Sequence, residues 1–364
     1  MFSRSTFRWV IGTTRGIAVH MRGARGTRPS VTFIAWTPVS GRSAEIAEAL
    51  DGEARCFYTF RIVRKPLVPL RYGWSALGTA SYLARRRPRA VIASNPPIFP
   101  GLIALLYAKL ARVPIVLDSH TGSFGLKGDR VSRLLLPAHA WLARRATATL
   151  VAADELAERV REWGGRPQVV HEAPPHWEVA PPAPLGERPI VLVVSTFDHD
   201  EAVEHVVEAA RLVSEIQFRL TGDLRKCPPG LYESLPPNVE LVGFLRGDDY
   251  VRAVASADVV VALTTEPQSV VRAGYEAVYS QRPLVVSDWP VLREVFPHAV
   301  HVENEPDAIA SGVRAAIARH AELAETAPLA LELQRRRWDC QLATLKATLA
   351  SRPADAPIAV RTPV

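Results

Sequence analysis

Residues 257–296 read ADVVVALTTEPQSVVRAGYEAVYSQRPLVVSDWPVLREVF. The run Asp258–Leu263 is apolar and β-branched, as suits a strand buried on both faces. It delivers the chain to Thr264, Thr265 and Glu266. A helix is expected from Ser269 to Ser280, and a second buried strand from Pro283 to Ser287. Strand, polar turn, helix and strand form the repeating unit of a parallel α/β sheet. The free amides and positive end of such a helix make an anion site. Arg272 lies in its first turns, and Glu276 two turns in.

The same unit recurs in both directions. Upstream, Pro189–Ser195 (PIVLVVS) reads as a buried strand, Glu201–Val213 as an amphipathic helix and Gln217–Thr221 as a strand. Val239–Val242 reads as a further strand and Asp248–Ala257 as a helix. Downstream come a short strand at Val300–Val302, a helix over Pro306–His320 and a terminal helix over Leu329–Leu349. The N-terminal part repeats the pattern, with strands at Val31–Trp36, Ala90–Ser94, Pro114–Leu117, Thr147–Ala152 and Gln168–His171. Helices are expected between them at Ser43–Leu50, Pro100–Ala111 and Asp154–Trp163. Between the halves, Pro174, Pro175, Pro181, Pro182 and Pro184 exclude regular structure.

The expected fold is α/β, two Rossmann-like domains facing across a cleft, with ligands beyond the carboxyl ends of the strands. Residues 1–29 are expected to be a basic disordered tail, 30–172 the first domain and 173–188 a linker. Residues 189–325 form the second domain, 326–350 a terminal helix and 351–364 a disordered end.

Glu276-Ala-Val-Tyr-Ser-Gln-Arg-Pro283-Leu-Val-Val-Ser-Asp resembles the C-terminal domain of GT-B glycosyltransferases, especially family 4. Those carry Glu-x7-Glu followed by Ala-Met-Ala-x-Gly-x-Pro-Val-Val. The resemblance implies transfer of a sugar from a UDP- or GDP-linked donor to a glycan or lipid-linked acceptor, in cell-surface polysaccharide or glycolipid synthesis. It gives Glu276 the ribose hydroxyls. The family's first Glu, which approaches the donor sugar, falls on Gln268, which keeps an acceptor oxygen but loses the charge. Ser269 would lie at the helix start beside the donor.

Family members end the strand matching Pro189–Ser195 in Gly-Arg, with a Lys soon after, and these hold the donor phosphates. Here Ser195-Thr-Phe-Asp-His-Asp200 stands instead, with no cation. Arg225, Lys226 and Arg272 are then the candidates for meeting the phosphate charge. In the first domain, Asn95-Pro-Pro and Asp118-Ser-His120 resemble the mannosyltransferases that elongate lipid-linked oligosaccharides. The family places a sugar-contacting His where His120 stands. Ser40, Gly41, Asn95 and Asp118 are expected on the acceptor side. No cofactor and no metal are expected, because in this family the helix dipole and cations neutralise the departing diphosphate. The glycine-rich dinucleotide and Walker patterns are absent. A GT-B fold that serves as a binding subunit, and a nucleotide-sugar epimerase of the same architecture, are the alternative readings.

Charge is unevenly distributed. The net charge is +7 over 364 residues, and the first 28 residues carry six arginines and no acid. From Ala54 to Leu117 there are eleven basic residues and again no Asp or Glu. Phe57–Trp74 interleaves rings with Arg61, Arg64, Lys65 and Arg71, a pattern suited to peripheral contact with anionic membrane. No nucleic-acid module is present, so no nucleic-acid partner is expected. Three cysteines without metal or disulfide spacing fit a cytoplasmic location, extending to the inner face of the cell membrane.

Overall fold

A computed structural model of the chain describes residues 28–58, 68–126 and 130–351. The N-terminal tail up to residue 27, the end of the chain from 352, and residues 59–67 of the basic aromatic segment lie outside the described residues. The chain divides into two compact units. One is built on residues up to Leu150 with Trp163–Arg166 and the end of the chain from Lys346; the other on Val151–Glu162 and Pro167–Leu345.

The first sheet contains β1 (Val31–Ala35), β2 (Glu53–Cys56), β3 (Ala90–Asn95), β4 (Ile115–Ser119), β5 (Ala148–Val151) and β6 (Pro167–Val169) in the order β2-β1-β3-β4-β5-β6. β1 pairs in parallel with β2 and β3, β3 with β4, and β4 with β5. Helices α1 (Gly41–Ala49), α2 (Val68–Arg86), α3 (Ile98–Ala111), α4 (Arg130–Ala143) and α5 (Asp154–Glu162) connect the strands. Ile34, Val91, Ala93 and Leu117 from the strands pack with Leu83, Leu105 and Leu142 from the helices.

The second sheet contains β7 (Ile190–Val193), β8 (Gln217–Thr221), β9 (Val239–Gly243), β10 (Val259–Ala262), β11 (Leu284–Ser287) and β12 (Val300–Val302), ordered β12-β11-β10-β7-β8-β9 and parallel throughout. Its helices are α6 (Val203–Leu212), α7 (Asp248–Ala255), α8 (Arg272–Tyr279), α9 (Pro290–Val295), α10 (Pro306–Ala318) and α11 (His320–Ala350). Val191, Phe218, Val259, Val261 and Val285 are sealed under Val206, Ala210, Ile309 and Val313. Strand order reverses between β1 and β3 in one sheet and between β7 and β10 in the other. Such reversals open a crevice at the carboxyl ends of the strands.

Six elements depart from the sequence expectation. β2, α2, α4 and α9 stand where no element was expected, and α11 begins at His320 and runs through Pro328. α8 begins at Arg272, not at Ser269. Ser269 N–H donates to the Glu266 carbonyl at 3.1 Å and closes a turn with Pro267 in its second position. Val271, in extended conformation, precedes the first helical residue. Among the described residues, no helix is long and apolar enough to cross a membrane.

Candidate active site

In the second unit the carboxyl ends of β7, β10 and β11 meet. Glu276 is nearly buried on α8, the helix that follows β10. Arg272 Nε lies 2.9 Å from its Oε1, one helical turn earlier. Tyr250, brought in by α7, donates its hydroxyl to Oε2 at 2.5 Å. Burial and the Glu276 charge push the Tyr250 phenol well up, so it stays a donor. Arg272 also reaches Glu172 Oε2 at 3.0 Å, so its charge is shared between two carboxylates. Gln268, in the turn before α8, donates its amide to Glu155 Oε1 at 3.3 Å.

Ser195 is buried at the end of β7. Its hydroxyl donates to Glu201 Oε2 at 2.5 Å, and the Thr196 amide donates to the same oxygen at 2.8 Å. The Thr196 hydroxyl reaches Oε1 at 3.0 Å and the Asp198 amide reaches Oε2 at 3.2 Å. The loop is thus wrapped around its own carboxylate. Phe197 within it adopts φ 56°, a left-handed conformation that costs a bulky side chain. Its ring presses on Gly222, where an added Cβ would come within 2.4 Å of the ring. Glycine at the end of β8 is what lets this loop sit down.

The two remaining candidate cations follow β8. Arg225 is held by Asp223 through contacts of 2.9 and 2.6 Å and is largely exposed. Lys226 Nζ lies 3.8 Å from Asp198 Oδ2, which brings it to the β7 loop. No metal is expected from the family resemblance, but this loop carries a group of residues with metal-ligand chemistry. Asp198-His199-Asp200 is an Asp-x-Asp triplet, and its ligand atoms lie within 4.8 Å of one another. Asp198 and His199 are exposed and Asp200 is half-buried, and exposed acidic groups of this kind are common without an ion.

In the first unit the candidates also converge. Asp118, at the end of β4, is buried between Arg42 and His120. Arg42 Nε lies 3.1 and 3.2 Å from its two oxygens, and His120 Nε2 lies 3.3 Å from Oδ2. Burial alone would raise the Asp118 carboxyl; the Arg42 guanidinium and the His120 ring overcome it and hold the group well below the usual carboxylate range. His120 itself is half exposed. Its backbone amide donates to the Asn95 carbonyl at 2.8 Å, and Asn95 Nδ2 donates to Ser119 Oγ at 3.2 Å. Ser40 caps α1 by accepting from Ser43 N at 3.2 Å, which fixes Gly41 and Arg42 in the first turn. The structure thus brings Ser40, Gly41, Asn95, Asp118 and His120 to one edge of the first sheet. In the second it gathers Ser195, Arg225, Lys226, Gln268, Ser269, Arg272 and Glu276 along the carboxyl ends of the strands and the loops that follow them.

Sequence reading missed Glu172, Glu201 and Tyr250. Each acts through a partner, and only a cation-free loop followed by an acid hinted at Glu201.

Residues 11–176 match the family model described as Glycosyl transferase 4-like domain, and residues 188–319 the model described as Glycosyl transferases group 1. The chain belongs to the group 1 glycosyltransferases of the GT-B fold. No curated protein sequence matches this glycosyltransferase. Among solved structures it is similar to HepE of Anabaena in complex with UDP and glucose, with 17% identity, TM-score 0.67, and coverage of 89% of this chain and 100% of that one. It is similar to sucrose-phosphate synthase from Thermosynechococcus elongatus, with 14% identity, TM-score 0.70, and coverage of 88% and 98%. A glycosyltransferase from Rickettsia africae is similar at 12% identity and TM-score 0.60, with coverage of 89% and 100%. At these identities the likeness is one of fold, and it agrees with the two parallel six-stranded sheets.

Proposed function

We propose that this glycosyltransferase moves a hexose from a nucleoside-diphosphate sugar, UDP- or GDP-linked, to a glycan or lipid-linked acceptor in cell-surface polysaccharide or glycolipid synthesis. The observation that carries the reading is Glu276, oriented between Arg272 and Tyr250 on the helix that follows β10. A carboxylate so placed can accept from two ribose hydroxyls. HepE has been solved with UDP-glucose, which supports a donor of the same class.

Residues 189–325 would hold the donor and 30–172 the acceptor, with 173–188 as linker. Lys226 and Arg225 would face the diphosphate, and Ser269 and Ser195 would line its approach. In the reaction the bond from the anomeric carbon to the β-phosphate oxygen breaks and its electron pair leaves on the diphosphate. The acceptor oxygen bonds to the anomeric carbon, and its proton passes to the departing diphosphate. The start of α8 and the cations would stabilise the departing charge without a metal. His120 and Gln268 would orient the sugar, with Ser40, Gly41, Asn95 and Asp118 on the acceptor side. A lipid-linked acceptor would bring the chain to the inner face of the membrane, where Phe57–Trp74 would meet anionic lipid.

The test is titration with UDP, GDP and their sugars, followed by transfer assays with chelator or with added magnesium or manganese. A nucleotide at about 100 times its dissociation constant stabilises the fold by about 2.7 kcal/mol. Absence of stabilisation by every nucleotide would defeat the donor assignment. Activity lost in chelator and restored by a divalent ion would replace metal independence with a role for Asp198, His199 and Asp200.

A further inference from the structure

We propose that the outer faces of α2, α3 and α4 form a docking surface for an anionic lipid bilayer. The proposal deepens the membrane contact suggested above but stands on different residues. α3, IFPGLIALLYAKLA, is apolar on all sides apart from Lys109. Such a helix is ordinarily enclosed by protein. Here Ala104, Leu105 and Ala108 pack inward, while Leu106 is 62% exposed and Leu110 78%. The neighbouring helices repeat the pattern: Trp74 and Leu77 lie open on α2, and on α4 Leu134 is 79% exposed with Trp141 also open.

α2 packs against α3 and α3 against α4, so these side chains share one face. The topology requires this, because successive crossovers in the same direction across a parallel sheet fall on the same side. A single exposed leucine is ordinary. Six large apolar side chains across three adjacent helices make a patch that calls for a partner.

Charge selects the partner. The three helices contain no Asp or Glu, and the chain is acid-free from Ala54 to Leu117 and again from Arg130 to Ala153. Lys109, Arg133, Arg144 and Arg145 are exposed around the apolar residues. The Arg145 guanidinium lies 4.2 Å above the Trp141 ring. A second copy docking through this face would set cations against cations, since a two-fold interface uses the same patch twice. A bilayer offers what the surface lacks: phosphates for the cations, a headgroup layer for the tryptophans and an acyl boundary for the leucines.

The experiment is co-sedimentation of the full chain with vesicles of phosphatidylcholine alone, or of phosphatidylcholine and phosphatidylglycerol in equal parts. The chain should pellet with the anionic vesicles, be released by salt, and ignore the neutral ones. The pair Lys109→Glu and Arg145→Glu should weaken binding by about tenfold or more. The pair Leu110→Ser and Leu134→Ser should weaken it comparably. Both pairs should keep the wild-type melting temperature and UDP affinity. Equal binding to neutral vesicles, undiminished binding by either pair, or no pelleting of the wild type would overturn the proposal. So would a concentration-dependent dimer abolished by the leucine pair, which would give the face to a second copy. Loss of UDP binding with vesicle binding intact would count against the donor reading and leave this surface standing.

Discussion

Tyr250 and Glu276 come from different helices, 26 positions apart, and meet in a 2.5 Å hydrogen bond with the phenol as donor. The pair fixes the rotamer of the carboxylate assigned to the ribose. Tyr250→Phe keeps the ring and removes the donor. Hydrogen bonds to charged groups contribute about 1.5–3 kcal/mol, so UDP affinity should fall about tenfold by calorimetric titration. Glu276→Gln should cost at least as much. Wild-type affinity in both variants would remove Glu276 from the ribose.

Gln268→Glu would restore the acid that the family carries, but 3.3 Å from Glu155. Two carboxylates there repel, so the variant should turn over more slowly than wild type. Adding Glu155→Gln should recover the loss. Because the site is exposed, the melting temperature should move by less than about 1 kcal/mol of stability allows. A single variant as active as wild type would show that the contact with Glu155 does not constrain position 268.

Arg42→Ala should be strongly destabilising. Asp118 is buried, and removing its guanidinium leaves a buried charge with His120 beside it. Breaking such a pair costs about 3–5 kcal/mol, measurable by urea denaturation. Asp118→Asn in the same chain should return part of the loss. No recovery would mean that Arg42 acts through packing alone.

His139 is buried on α4, and burial lowers its pKa to about 4. The unfolded chain takes up this proton near the ordinary histidine value of about 6.5. Between those two values the unfolded state binds more protons, so stability from this group rises with pH and falls on acidification. His139→Gln should flatten the decline in melting temperature across that window. An unchanged slope would show that His139 does not govern it.

Strands such as β7 and β10 were legible because burial on both faces writes an unbroken apolar run. α2 and α4 were not, for local reasons: Pro69, Gly73 and Gly78 interrupt one, and Pro137 sits inside the other. Tertiary packing overrides these breakers. β2 was hidden because Glu53 is charged, yet it is buried with Tyr82 and Arg55 as partners. In the site, Glu276, Asp118 and His120 could be read because each lies in a local pattern. Tyr250 and Glu172 could not, since their meaning comes from partners 26 and 100 positions away.

The carboxylate of Glu201 gives the β7 loop a property that a loop with an outward-reaching lysine would lack. Four donors from Ser195, Thr196 and Asp198 are already satisfied within the chain. Fixing a backbone costs about 1–2 kcal/mol of conformational entropy per residue, and folding has already met that cost here. Any ligand arriving at this strand end therefore meets a preset surface, and its association should be paced by diffusion and orientation more than by loop ordering.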